Sequence, residues 1–189
     1  TPDVDVAASD VTYGSVESIT ITVNAAGNIT VKVNGTVVEL EKLLDANNQT
    51  VINVADLSAG SYPVEVTYNG NKNYNSATVK AYFNVAKAST AIDLEMDNSM
   101  NYGESQLINI TINNVNASGE VIISIDGENH TADVNGGRAY FTIKGLQPGN
   151  HTVTIIYPDN ENLTGSVLSD KLEVSKAPSF VDVEIINST

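Results

Sequence analysis

The sequence predicts an all-β protein built twice over, and three observations carry that prediction. Apolar and polar residues alternate with period two, Gly and Asn dipeptides punctuate the alternation every 8 to 12 residues, and the whole pattern recurs 89 positions along. Alternation of this kind is what a strand with one buried face requires, because successive side chains point to opposite sides of a sheet.

The alternating runs come in order. In the first copy Ile19, Ile21 and Val23 share one face, followed by Ile29, Val31 and Val33, then Tyr62, Val64, Val66 and Tyr68, then Val79, Ala81, Phe83 and Val85. The second copy has Ile108, Ile110 and Ile112; Val121, Ile123 and Ile125; Phe141 and Ile143; Val153, Ile155 and Tyr157; and Leu168, Leu172 and Val174. Between them sit Asn34-Gly35, Asn69-Gly70, Asp126-Gly127 and Asn135-Gly136-Gly137, residues that accept the positive φ of tight turns. Six or seven short strands in each copy describe an immunoglobulin-like antiparallel β-sandwich, with a barrel as the alternative. The run Leu40-Glu41-Lys42-Leu43-Leu44-Asp45 reads as a single helical turn capping one end.

The repeat is detailed. Tyr13-Gly14 returns as Tyr102-Gly103, and LSAGSYPVEVTY, ending at Tyr68, returns as LQPGNHTVTIIY, ending at Tyr157. Gly27-Asn28-Ile29 returns as Gly119-Glu120-Val121 at 92 positions, so the second copy gains three residues near 113–117 and loses three between Gly127 and Phe141. Such changes belong in loops. KASTAIDLEMDNS from Lys87 returns as KAPSFVDVEIINS from Lys176. The domains expected are therefore residues 1–87, residues 88–176, and a first strand of a third copy at 177–189. The pattern starts and stops mid-repeat, so a longer tandem array is expected, with Lys-Ala joints holding neighbouring repeats end to end.

Composition narrows function. With 23 acids against 9 Lys and Arg the net charge is −14, which disfavours nucleic acid and anionic membranes as partners. No Cys is present, so disulfides, thiolate nucleophiles and Cys-ligated zinc are excluded. No apolar run approaches the roughly 18 residues of a membrane span, so direct membrane insertion of this segment is not expected.

Catalytic constellations are missing. His151 falls where the first copy has Tyr62, an inward strand position, and His130 lies in a turn-rich segment without a second His beside it. Asp3 and Asp5, and likewise Asp93, Glu95 and Asp97, are spaced by two and so line one solvated strand face instead of converging. Asp170 takes the inward position held by Ala81 and reads as a partly wet strand-edge residue. No enzyme is expected and no cofactor. Asp159, Asn160 and Glu161 form the best-placed set of hard oxygen ligands, suited to calcium, although the Asp-x-Asp-x-Asp-Gly loop is absent. Asn-x-Ser/Thr sequons recur along the chain, and the loop residues Asn48 and Asn162 are the expected glycan acceptors if the chain is exported. Tyr82 and Tyr140 are the outward aromatic residues that a glycan would stack on.

The segment LSAGSYPVEVTYNGNKNYNS, with the Tyr-Gly pairs and Lys-Ala joints, resembles the bacterial and archaeal Ig-like surface repeats, whose pattern is Leu-x-x-Gly-x-Tyr-x-Val-x-Val-x-Tyr followed by a Gly-Asp-x-Asn-Tyr loop. Asn-rich arrays of this kind resemble the adhesin-like proteins of methanogenic archaea. The loop Asp of the pattern is Asn71 and Asn160 here, and its closing Tyr is Tyr74 but Leu163. The resemblance implies a non-catalytic extracellular stalk or adhesion repeat at the cell surface or envelope, partnered by its neighbouring repeats. The alternative is a ligand-binding module for a carbohydrate or a host-cell surface protein.

Overall fold

The computed structural model describes residues 1–183, and among them every regular element is a strand. The chain divides into two compact units: Thr1–Ser89 with Asn160–Thr164, and Thr90–Asp159 with the chain from Gly165 onward.

In unit 1 the strands are β1 (Val4–Ala7), β2 (Val11–Thr12), β3 (Glu17–Val23), β4 (Asn28–Val33), β5 (Thr36–Leu43), β6 (Gln49–Val54), β7 (Gly60–Tyr68) and β8 (Ala77–Ala86). They form a three-stranded sheet β1-β3-β6 and a five-stranded sheet β2-β8-β7-β4-β5. Pairing is antiparallel except for β2 alongside β8. One core lies between the sheets. Ile19, Ile21, Ile52 and Val54 from the smaller sheet meet Ile29, Val31, Val64, Val66, Tyr68, Phe83 and Val85 from the larger. The inward residues are those the alternation selects, since a one-residue slip would turn every one of them to water.

Unit 2 repeats this plan with β9 (Ile92–Glu95), β10 (Ser99–Asn101), β11 (Ser105–Ile112), β12 (Gly119–Ile125), β13 (Glu128–Val134), β14 (Arg138–Lys144), β15 (Gly149–Tyr157) and β16 (Ser166–Ser175). Its sheets are β14-β11-β9 and β10-β16-β15-β12-β13. Ile108, Ile110, Ile123, Ile143, Val153, Ile155, Tyr157 and Leu172 are at most 1% exposed and form its core. Both length differences between the copies fall in connections: residues 24–27 against 113–118 after β3 and β11, and residues 44–48 against 135–137 before β6 and β14. The acids of the first strands, Asp3, Asp5, Asp93, Glu95 and Asp97, are all exposed. Asp170 is half-buried, and its Oδ1 accepts the Lys171 amide at 2.7 Å.

The expected helical turn at Leu40 is a strand. β5 is the edge of its sheet, bulged against β4 on either side of Val31, and Glu41 has φ 51°. A residue in that left-handed region interrupts any right-handed helix. Leu40 and Leu43 are more than 70% exposed, while Leu44 of the same run packs against the core. Of the expected third-copy strand, residues 177–183 carry no regular structure, and the remainder lies outside the described residues.

A buried tyrosine closes each unit in the same way. The Tyr68 hydroxyl donates to the Ala26 carbonyl at 2.8 Å, and the Tyr157 hydroxyl donates to the Ser118 carbonyl at 3.0 Å. Gly27 is what lets the first ring lie so close: a Cβ there would stand 2.7 Å from Tyr68 Cε2, whereas one at Gly119 would meet nothing within 4 Å. We therefore expect Gly27→Ala to lower the denaturation midpoint of unit 1 markedly more than Gly119→Ala lowers that of unit 2. Gly119→Ala carries only the strain of its φ of 95°, about 1–2 kcal/mol. Equal shifts in urea titrations would show that the Tyr68 ring can yield.

Candidate functional site

Unit 2 holds a cleft of about 620 Å³ lined by Ile125, Asp126, Glu128, His130, Phe141, Thr142, Lys144, Gly145 and Leu146. It opens where the edge strands of the two sheets, β13 and β14, face each other across the sandwich. Its upper rim is the β12–β13 hairpin. Asp126 and Gly127 both have positive φ, 50° and 92°, as a two-residue turn of the primed type demands.

Asp126 is held in place. Its Oδ1 accepts the Thr152 amide at 2.9 Å, and its Oδ2 lies 2.6 Å from His151 Nδ1. His151 Nε2 faces the Gln147 carbonyl at 2.7 Å. Both partners of the ring are acceptors, so both ring nitrogens donate and the imidazolium form is favoured. The Gln147 carbonyl and then the Asp126 carboxylate raise the His151 pKa above its ordinary value, and the Thr152 amide and then His151 lower that of Asp126.

The first copy explains how this pair arose. Tyr62 donates its hydroxyl to the Ser58 carbonyl at 2.8 Å, the same bond to a residue four positions back that His151 makes to Gln147. The Asn34 amide donates to the Pro63 carbonyl as the Asp126 amide donates to that of Thr152. Two exchanges, Asn34 to Asp126 and Tyr62 to His151, thus convert a neutral turn anchor into an ion pair. His151 is an inward strand residue, with a side chain 13% exposed. Its link to Asp126 was not anticipated, although comparing the two copies at both positions would have shown it.

A pH dependence follows. The stabilisation from His151 is complete below its ordinary pKa of 6.5 and is lost as pH rises through the higher folded value. That from Asp126 is present above 3.8 and is lost as pH falls through its lower folded value. The pair therefore supports unit 2 most between about pH 4 and 6.5. We expect the urea midpoint of unit 2 to fall from pH 6 toward alkaline pH, and His151→Tyr, which restores the residue of the first copy, to flatten that fall. An unchanged slope in the variant would remove His151 as its source.

His130 lies within β13, not in a turn. Its ring centroid is 5.2 Å from that of Phe141 at an inclination of 32°, and its Nε2 is 3.9 Å from Glu128. Among the described residues no carboxylate stands within ion-pair distance of Lys144.

The other expected site residues are placed elsewhere. Asn160 Oδ1 accepts the amides of Asn162 and Leu163 at 3.0 and 2.8 Å, and Asn71 does the same for Asn73 and Tyr74 in the first copy. The loop Asn is thus the turn's own scaffold, a task that an amide oxygen performs as well as a carboxylate at the same place. Asp159 Oδ1 accepts the Gly165 amide at 3.3 Å, and Glu161 is exposed. Among the described residues no group of three His, Cys, Asp or Glu stands close enough to hold a metal ion. Asn48, at φ 57°, and Asn162 are half-buried, and Asn162 Oδ1 accepts the Ala59 amide, while the sequon residues Asn34, Asn116, Asn129 and Asn150 are exposed. Tyr82 and Tyr140 are 71% and 56% exposed.

Residues 15–81, less than half of the chain, match the model of the secretion system C-terminal sorting domain. No curated protein sequence matches the chain. Among solved structures it is similar to the Bacteroides ovatus mixed-linkage glucan utilization locus protein SGBP-B in complex with a mixed-linkage heptasaccharide, at 15% identity and TM-score 0.35, over 92% of this chain and 47% of that one. It is also similar to the Parabacteroides merdae β-glucuronidase, at 14% identity and TM-score 0.37, over 90% and 24%. A third is the Escherichia coli α-2-macroglobulin activated by porcine elastase, at 11% identity and TM-score 0.37, over 93% and 22%. The chain spans less than half the length of each. At these identities and TM-scores none of them bears on what this chain binds or does. All three are bacterial, and nothing among the matches supports the archaeal side of the resemblance.

Proposed function

We propose that this chain is a non-catalytic segment of an exported, cell-surface protein, serving as a stalk or adhesion repeat. The observation that carries the reading is the match of residues 15–81 to a secretion sorting domain, on a sequence that then repeats the same sandwich plan. The acidic surface suits solubility at high local density. His151 in this arrangement is not free to serve as a base, because both its nitrogens are engaged by Asp126 and Gln147. The test is to produce the full-length gene product in its own host and shave intact cells with protease. Release of fragments carrying these repeats is the expected result; full protection until the cells are lysed would refute surface display.

A second reading, a module that grips a carbohydrate or a host-cell surface protein, is favoured by one specific observation, the cleft beside His130 and Phe141.

A further inference from the structure

We propose that the cleft of unit 2 binds the terminal sugar of a neutral saccharide. The inference deepens the carbohydrate reading but is independent of where the cell displays the protein.

The two copies share one scaffold and differ in chemistry at this place. Where unit 2 has Asp126, Glu128, Phe141 and Lys144, the corresponding positions of unit 1 are Asn34, Thr36, Ile52 and Ala55. Opposite the core residue Ile123 stands His130, where unit 1 sets Glu39 opposite Val31. His130, a lysine without an acidic partner among the described residues and a partly exposed aromatic ring line one cleft, and His151 stands behind it on Asp126. None of these is needed to build the sandwich, since unit 1 builds it without them.

The lining chooses among ligand classes. A volume near 620 Å³ falls within the roughly 300–1,000 Å³ of small-molecule sites. An apolar ligand would strip water from Asp126, Glu128 and Lys144 without replacing its hydrogen bonds. An anion would meet Lys144 but also two carboxylates. For a metal ion, Asp126, Glu128 and His130 line the cleft without coming together as a group that could hold one. A pyranose suits all of these groups together. Each hydroxyl both donates and accepts, so it pairs with a carboxylate, an ammonium or the Thr142 hydroxyl alike. Its flat C–H face suits the Phe141 ring, while Ile125 and Leu146 complete the apolar wall. Asp126 is fixed in advance by the Thr152 amide and His151, so its orientation is not lost entropy on binding.

The experiment is a titration of the whole isotope-labelled chain with D-glucose, D-galactose, D-mannose and N-acetylglucosamine, and with D-glucuronate as the anionic comparison, read by amide NMR shifts. We expect at least one neutral sugar to move the amides of residues 125–130 and 141–146 saturably while residues 33–36 and 52–55 stay still. Phe141→Ala should weaken that binding tenfold or more. Glu128→Gln and Lys144→Met, at exposed side chains, test the polar contacts should the phenylalanine variant fail to fold, and each should weaken binding severalfold. The proposal is overturned if no sugar moves the cleft amides, if the shifts survive these variants, or if glucuronate binds tighter than every neutral sugar. Protease shaving of cells is unaffected by any of these outcomes, so the two readings fail separately.

Discussion

Truncating either closing tyrosine should cost more stability than any surface change in its unit. Tyr68 is fully buried and Tyr157 is 1% exposed, and each ring fills the space between the two sheets of its own sandwich. Tyr68→Ala and Tyr157→Ala should each destabilise by about 3–5 kcal/mol, the range for losing a large buried aromatic side chain and leaving a cavity. Tyr68→Phe and Tyr157→Phe keep the volume but delete the hydroxyl's bond to Ala26 or Ser118, and should cost about 1 kcal/mol, the Ala26 carbonyl keeping the Asn71 side-chain amide at 2.8 Å. Hydrogen exchange resolved by unit is the appropriate measurement, because an unfolding curve of a chain with two compact units does not define one free energy. If alanine and phenylalanine variants proved equal, the rings would contribute only their hydroxyl bonds and the packing argument would fail.

The residues that the sequence exposes most readily are those for which burial on one face is the dominant constraint. β3, β4, β7 and β8, and their counterparts β11, β12, β15 and β16, each bury alternate side chains, so period two is written directly into them. β5 has no such signature. It is an edge strand with no buried residue, held by the backbone ladder to β4, and its composition therefore reads as helix-forming when propensity is all there is to judge by. β13 is the other edge, polar over most of its length, and His130 was misplaced with it. Charge hides information in another way. Glu17 continues the inward series of Ile19, Ile21 and Val23 and is 3% exposed, with one oxygen accepting the Ser9 amide at 2.7 Å. Its counterpart Gln106 instead donates to the Asp97 carbonyl. Alternation points both side chains inward, but which backbone group meets each depends on strands that pair only in the folded sheet.

The first strands show the limit of a fixed repeat distance. Ile21 and Ile110 are 89 apart and pair with Val6 and Leu94, which are 88 apart. One residue has been gained between that strand and Tyr102, so a sequence offset carried across it would put Val6 opposite an acid. The candidate site was hidden for a related reason. Asp126 and His151 are 25 positions apart, on different hairpins, and only the antiparallel pairing of β12 with β15 brings them together. What the sequence does hold is the paired exchange between the copies, Asn34 with Tyr62 against Asp126 with His151, and that exchange is informative once the two copies are compared as one structure.

Gly137→Ala should be the most damaging single substitution in the connections of unit 2. Gly137 closes the turn between β13 and β14 at φ 77°, and it is buried beneath the segment 113–117 by which the second copy is lengthened. A Cβ there would stand 2.7 Å from the carbonyl oxygens of both Ile112 and Asn114. These are backbone atoms, so no rotamer change relieves the contact. The backbone of Gly137 also donates to the Ala117 carbonyl at 3.0 Å and accepts the Ile112 amide at 2.7 Å, so any shift that admits the methyl group stretches those bonds. The strain of positive φ adds about 1–2 kcal/mol, and the clash with the weakened hydrogen bonds should bring the total to about 3–5 kcal/mol. Gly136 is the internal comparison. Its φ is 57°, but a Cβ on it meets nothing within 4 Å, so Gly136→Ala should show the conformational strain alone. Urea titration of the two variants, followed by the exchange of amides in β11 and β14, separates the terms. Equal losses would mean that the 113–117 segment does not pack on the turn, and that the extra residues of the second copy are carried there without being held.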